Sequence, residues 1–129
     1  MKLIAAVLAL AVATIAACDT QPWGQCGNNE GSTCCPDDFY CQPWNDSFYQ
    51  CMPTPSQCSQ QFTDVELTGN TLFTIDGLQP ADCCAKCAGT DGCTAYTFIN
   101  NNPGSTACIL KSSTGDQQSY VGAVSGIRN

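Results

Sequence analysis

Alternating apolar and polar positions predict short β-strands over most of the chain, with one helical segment in the second half. The first half has Gly and Pro punctuation without a helical period, which predicts short antiparallel strands, one of them around Asp46 to Met52. Further strands are predicted at Phe62 to Leu67, Thr71 to Ile75, Cys93 to Ile99, Ala107 to Lys111 and Tyr120 to Ile127. A polar loop is predicted from Asn100 to Thr106.

The helical segment is predicted at Pro80 to Ala88. Pro80 suits the first helical position, Asp82 the first turn and Lys86 the last turn, and Gly89 follows as a stop signal. Cys83 and Cys87 would share one helix face, from which both could bond to a sheet beneath, although the sequence leaves many pairings open. One helix on an antiparallel sheet is an α+β module.

The first 17 residues have the pattern of a secretory signal peptide. Met1 and Lys2 form a short basic start, Leu3 to Leu10 is apolar, and Ala11 to Ala17 is rich in small residues. The apolar run is too short to span a bilayer. We therefore expect a secreted protein that is extracellular or associated with a cell wall.

The chain contains 12 cysteines, all of them after the predicted signal peptide. This density marks a disulfide scaffold in an oxidising compartment. The cysteines fall into two even groups on either side of a Pro-rich segment, which predicts an extended spacer at residues 54–57. The predicted modules are residues 18–53 and residues 58–129, and the first is too small to be stable without its disulfides.

The composition excludes several classes of function. The chain has no His and a net charge of −7. Without His, the commonest general base and the usual Ser or Cys nucleophile pairs are missing, and paired cysteines are not available as nucleophiles or metal ligands. The negative charge disfavours nucleic acid and anionic membranes as partners. We expect neither catalysis nor a metal or cofactor, and a neutral ligand such as a glycan suits this surface.

Aromatic residues are dense in the first module, which is too small to bury all of them. They are Trp23, Phe39, Tyr40, Trp44, Phe48 and Tyr49. Exposed rings on a rigid scaffold usually indicate a binding surface, and the apolar faces of pyranose rings stack on aromatic planes. The side-chain amides of Gln25, Asn45 and Gln50 could bond to sugar hydroxyls. Phe39 and Tyr40 are expected to be structural.

The first module resembles a family 1 carbohydrate-binding module. The resemblance rests on Trp23-Gly24-Gln25-Cys26-Gly27, Cys34-Cys35-Pro36, Cys41 and Gln50-Cys51, with matching cysteine spacings. It implies a three-stranded antiparallel sheet. It also implies the disulfides Cys26–Cys41 and Cys35–Cys51, with a third bridge, Cys18–Cys34, found in some members.

The same resemblance implies a cellulose-binding face of three aromatic rings with Gln and Asn side chains. Its matching residues are Trp23, Gln25, Asn45, Phe48 and Gln50. Ser47 stands where the second ring is expected. Three alternatives follow: a bulge turns Tyr49 toward the face, Trp44 supplies the ring, or the face has only two strong rings.

Asn45-Asp46-Ser47 is also an N-glycosylation sequon, so Asn45 is a candidate glycosylation site. A glycan at this position would lie on the proposed face.

The second module resembles a PAN/apple domain. The resemblance rests on Ala81-Asp82-Cys83-Cys84-Ala85-Lys86-Cys87, Gly92-Cys93-Thr94-Ala95-Tyr96-Thr97-Phe98, Cys108-Ile109-Leu110-Lys111 and Gly122-Ala123-Val124-Ser125-Gly126. It implies the disulfides Cys83–Cys108 and Cys87–Cys93, which leaves Cys58–Cys84, and a non-catalytic domain that binds proteins or carbohydrates.

The two modules in one chain resemble the cellulose-binding elicitor lectins of oomycetes. This resemblance implies a secreted lectin that binds cellulose or a related polysaccharide, with the PAN/apple module adding a glycan or protein contact. The alternatives are a secreted protein-interaction or inhibitor protein and a chitin binder. Asp64, Glu66, Asp76 and Asp91 lack the spacing of a calcium-binding loop and are expected to be solvated surface groups.

Overall fold

The computed structural model describes residues 18–102 and 105–129, and the predicted signal peptide lies outside these residues. The described chain forms two antiparallel sheets and one helix. The strands are β1 (Gln25–Asn28), β2 (Gly31–Ser32), β3 (Phe39–Asn45), β4 (Phe48–Pro53), β5 (Gln60–Leu67), β6 (Thr71–Asp76), β7 (Ala95–Asn102), β8 (Ser105–Lys111) and β9 (Gln117–Ile127), and the helix is α1 (Pro80–Ala88). No helix in the described part of the chain is long and apolar enough to cross a membrane.

The first sheet has four strands in the order β2-β1-β4-β3, one more than the sequence predicts. The additional strand is β2, which pairs Gly31 with Asn28 and Ser32 with Gly27. A Cβ atom at Gly27, which has a φ of +144°, would collide with the backbone of Gly31 and Ser32. The chain can fold back this tightly because glycine lacks that atom.

The second sheet has five strands in the order β5-β9-β7-β8-β6, and α1 packs against it. Tyr96, Phe98, Leu110 and Val124 form a core with the buried cysteines of α1. The helix has the bounds that the sequence predicts, and its start is fixed by a 3.3 Å hydrogen bond from the Gln79 N–H to the Asp82 carboxylate.

Two local predictions in this module differ from the structure. Cys93 precedes β7, which begins at Ala95. The expected loop from Asn100 to Thr106 is largely strand, because β7 continues to Asn102 and β8 begins at Ser105. The polar side chains are compatible with a strand here because the ladder pairs Asn100 with Thr106, while the Asn100 side chain bonds to the first module.

All 12 cysteines are joined in six disulfides, and no cysteine is free. The bridges have the same pairs that the two resemblances imply: Cys18–Cys34, Cys26–Cys41, Cys35–Cys51, Cys58–Cys84, Cys83–Cys108 and Cys87–Cys93. Cys83–Cys108 joins α1 to β8, which staples the helix to the sheet. In a module as small as the first, such bridges compensate for a limited apolar core.

The two modules pack directly against each other. Tyr40 of β3 is buried in the same core as Tyr96 and Phe98 of the second module. The hydroxyl of Thr63 on β5 donates a 2.6 Å hydrogen bond to the Cys41 carbonyl, and the Asn100 amide donates a 2.9 Å bond to the Trp44 carbonyl. The second module therefore covers β3, which is an edge strand of the small sheet.

Asp64 lies at the centre of this contact. It occupies a bulge in β5 and has a φ of +59°, a left-handed conformation that is uncommon for a residue with a side chain. Its Oδ1 atom accepts a 2.7 Å bond from the Tyr49 hydroxyl and a 2.9 Å bond from the Gly122 N–H. One carboxylate thus joins the small sheet to β9.

The segment between the modules is not the extended spacer that its prolines predict. Residues 56 and 57 form a turn, and the Thr54 N–H donates a 2.8 Å bond to the Asp38 carbonyl. Asn129 donates its backbone N–H to the Gln57 carbonyl at 2.9 Å and its side-chain amide to the Ser56 carbonyl at 2.7 Å. Contacts with both modules hold the segment in place.

Tyr49→Phe is expected to destabilise the protein by about 1–2 kcal/mol, because a partly buried hydrogen bond to a carboxylate is lost. The free energy of unfolding in urea would measure the change. Thr74→Val is the control, since it removes a hydroxyl from an exposed position on β6, a strand that does not pair with β5. Equal stability of wild type and Tyr49→Phe would contradict the role of this contact.

Stability is expected to fall in strongly alkaline solution. Burial raises the pKa of Tyr96 to about 12, and it raises the pKa of Tyr40 and of Tyr49 well above the usual tyrosine value. These phenols ionise near pH ~10 in the unfolded chain, so their contribution is complete below that pH and is lost as pH rises through the folded-state values. The free energy of unfolding, measured from urea midpoints, should therefore be lower at pH ~11 than at pH ~8, by up to about 1.4 kcal/mol per pH unit above pH ~10 for each of the buried Tyr40 and Tyr96. Tyr96→Phe should reduce this dependence, and equal wild-type midpoints would contradict it.

Candidate functional site

Trp23 presents its ring to solvent from a turn that precedes β1. Its side chain is 54% exposed, the largest exposed fraction among the large apolar side chains of the described chain. Its φ is +68°, and its N–H donates a 2.9 Å bond to the Cys51 carbonyl. A bulky residue in this region of backbone space is strained, so the surrounding hydrogen bonds must hold it there. A large exposed ring on a backbone held by hydrogen bonds suits ligand contact.

Gln50 connects the two tryptophans. Its Oε1 atom accepts a 3.0 Å bond from the Trp44 indole N–H, and its Nε2 donates a 3.0 Å bond to the Trp23 carbonyl. Gln50 lies on β4 and Trp44 on the neighbouring β3, so the sheet sets the distance between them. The amide therefore fixes the Trp44 indole and the Trp23 backbone together.

The two tryptophans line a cavity of about 380 Å³ at the junction of the modules. The first module contributes Trp23, Tyr40, Trp44, Met52 and Pro53, and the second contributes Gln79, Pro80 and Ala81 from the start of α1. The lining carries no charged side chain. Its size and apolar character are those of sites for small neutral ligands.

The structure places Phe48 on the same face of β4 as Gln50, because alternate residues of a strand point the same way. Phe48 is half-buried and pairs with Asn45 across the hairpin. Neither residue lines the cavity. This surface, defined by Trp23, Trp44, Phe48 and Gln50, is called the aromatic face below.

Asn45 and Gln25 support the β3–β4 hairpin. The Asn45 Oδ1 accepts bonds from the Ser47 N–H at 2.9 Å and from the Ser47 hydroxyl at 3.0 Å, while Gln25 donates to the Ser47 carbonyl at 3.1 Å. Ser47, which replaces the expected ring, is thus the residue that both amides bind. Asn45 is exposed, and the sequon remains a candidate glycosylation site.

Tyr49 does not lie on the aromatic face. It is 1% exposed, packs against Cys26, Cys41 and Cys51, and directs its hydroxyl to Asp64. Tyr49 lies between Phe48 and Gln50 on β4, so its side chain points to the opposite side of the strand. Trp44 is half-buried on β3 and lines the cavity.

Sequence reasoning missed most residues of the cavity lining. Tyr40 is structural, as expected, but its ring also lines the cavity, and its hydroxyl donates a 2.7 Å bond to Gln42. Met52, Pro80 and Ala81 carry no local signal of binding. They become site residues only because the modules dock, and a pattern along one chain does not encode that docking.

In the described part of the chain, the cysteine sulfur atoms that lie close together and the Asp64 carboxylate already take part in structural bonds. The sulfur atoms of Cys26, Cys35 and Cys51 lie within 4.8 Å of one another, yet each belongs to a disulfide and offers no thiolate. Asp64 accepts two hydrogen bonds at the module junction.

Gln50→Ala is expected to release the Trp44 indole and lower stability by about 1–2 kcal/mol, because two hydrogen bonds are lost. Trp23 and Trp44 are the only tryptophans of the chain, so the intrinsic fluorescence reports on this site. We expect emission at longer wavelength as the indole becomes more hydrated. Gln118→Ala, at an exposed position on β9, is the control. An unchanged spectrum of Gln50→Ala would contradict the bridging role.

Comparison with known families identifies the second module. The family model described as a PAN domain matches residues 58–126. No curated protein matches the chain. PAN domains mediate interactions with proteins or carbohydrates, and the six disulfides fit an extracellular protein. The match covers more than half of the chain, which therefore belongs to the PAN domain family.

Proposed function

We propose that this protein is a secreted, non-catalytic lectin that binds cellulose or a related neutral polysaccharide through the aromatic face. The observation that carries the proposal is the pair Trp23 and Trp44, held together by Gln50. A sugar ring needs a flat apolar surface beside polar groups, and two indoles next to amides provide both.

The charge of the protein supports a neutral ligand. The net charge of −7 repels phosphate and sulfate polymers, and the cavity lining adds no cation to attract them. Neutral glycans are bound mainly by stacking and hydrogen bonds, which this charge does not oppose.

The first module supports the choice of cellulose through its resemblance to family 1 carbohydrate-binding modules. Trp23 and Phe48 occupy matching ring positions, and Trp44 is the candidate for the ring that Ser47 lacks. The sheet differs from the expected one by the short strand β2, at the opposite edge from β3.

The second module is proposed to provide a further glycan or protein contact. A PAN domain is compatible with either partner. Because the modules are packed together, both contacts would act from one unit rather than through a flexible linker.

Depletion by insoluble cellulose tests the proposal. The wild type should be retained, and the double variant Trp23→Ala/Phe48→Ala should lose affinity by about tenfold or more, which corresponds to roughly 1.4 kcal/mol. Phe73→Ala is the matched control, because Phe73 is 46% exposed but lies on β6, away from the aromatic face. No reducing sugar should be released. Equal retention of wild type and double variant would rule out this face.

Protein interaction is the second candidate function. It is favoured by β6, an edge strand of the five-stranded sheet that exposes Leu72 and Phe73. Open edges can pair with a strand of another chain. This alternative predicts no depletion by cellulose or chitin.

A further inference from the structure

We infer that the cavity between the modules, called the seam cleft here, binds a single neutral β-linked glycan chain, and that the start of α1 forms one of its walls. The inference rests on the proposed function and names the form of ligand that this site accepts: one chain that enters the cleft, in addition to a polysaccharide surface that meets the aromatic face.

The seam cleft is a joint product of both modules. Trp23, Trp44 and Met52 line it from the small sheet, whereas Pro80 and Ala81 line it from the helix. A flat polysaccharide crystal could touch only the rim of such a concavity. A separate chain can place a ring against the indoles and the helix start together.

The walls of the cleft are held at a fixed separation. Trp44 is bonded through its carbonyl to Asn100 of the second module and through its indole to Gln50 of the first. Tyr40 is buried in the shared core behind the cleft. A preformed site avoids the cost of ordering its walls when a ligand binds.

The chemistry of the lining indicates the ligand. The apolar surface of Trp23, Tyr40 and Trp44 suits the C–H face of a pyranose, and the exposed Gln79 can bond to hydroxyl groups at its edge. Neither an ion nor a charged sugar would find a countercharge there. In β-linked chains of equatorial sugars, the hydroxyl groups form a polar rim around apolar ring faces. This matches a lining of aromatic rings with a polar side chain at its edge.

Titration of the full chain with soluble cellohexaose tests the inference, with intrinsic fluorescence as the readout because both tryptophans line the cleft. Ala81→Leu places added carbon atoms in the cleft without altering an aromatic residue. It should weaken cellohexaose binding by at least about tenfold, as misfit of a few carbon atoms does in an apolar pocket. Ala85→Leu is the matched control, since Ala85 is exposed one turn later and does not line the cleft, and it should bind within about twofold of wild type.

The outcomes separate this inference from the proposed function. Saturable fluorescence change in wild type and Ala85→Leu, with weakened binding in Ala81→Leu, supports the cleft. Retention on insoluble cellulose without any cellohexaose binding, or equal cellohexaose binding by both leucine variants, overturns the cleft and leaves the lectin proposal standing. Failure to bind either cellulose or cellohexaose overturns both. Parallel titration with chitohexaose shows whether an acetamido group is accepted: tighter binding of that sugar, abolished by Ala81→Leu, supports the cleft.

Discussion

The hydrogen bond between Tyr49 and Asp64 lies at the contact on which the arrangement of the two modules depends. A small sheet with a hydrophobic edge needs a second body to cover it, and the five-stranded sheet provides one. Asp64 lies at the bulge in β5, and its carboxylate accepts hydrogen bonds from the Tyr49 hydroxyl of β4 and from the Gly122 N–H of β9. Burial of Tyr40 in the larger core completes the contact. The position of β3 relative to α1, and thus the shape of the cavity between them, follows from this packing.

Local signals predict the elements of the PAN module well. Pro80, Asp82 and Lys86 specify a helix because their preferences concern their own turn, and the β-branched and aromatic residues between Cys93 and Ile99 favour the strand β7. Local signals do not predict that Asn100 lies in a strand, because its place there depends on a partner across the ladder and on Trp44 in the other module. Tertiary contact overrides local propensity at such positions.

The residues of the candidate site also fall into two groups: those that local signals predict and those that only tertiary contacts place. Trp23, Gln50 and Phe48 could be selected from the sequence because their motif is contiguous with the cysteines of the first module. Tyr49 could not be placed, since an aromatic residue gives the same signal whether it faces a ligand or a core. Pro80 and Ala81 have ordinary helix-start roles, and their contribution to the cavity comes from docking alone. The cavity lining at the module junction cannot be predicted from the sequence, because the residues on either side of that junction are far apart along the chain.

None of the six disulfides crosses from one module to the other: three lie within residues 18–51 and three within residues 58–108. Under mechanical load, each module therefore resists extension more strongly than the boundary between the two modules does. Covalent staples limit how far each module can extend, whereas the boundary is held by side-chain packing and a few hydrogen bonds. A pulling force between a ligand on one module and a partner on the other would open the boundary first, leave both folds intact, and allow them to close again when the load is removed.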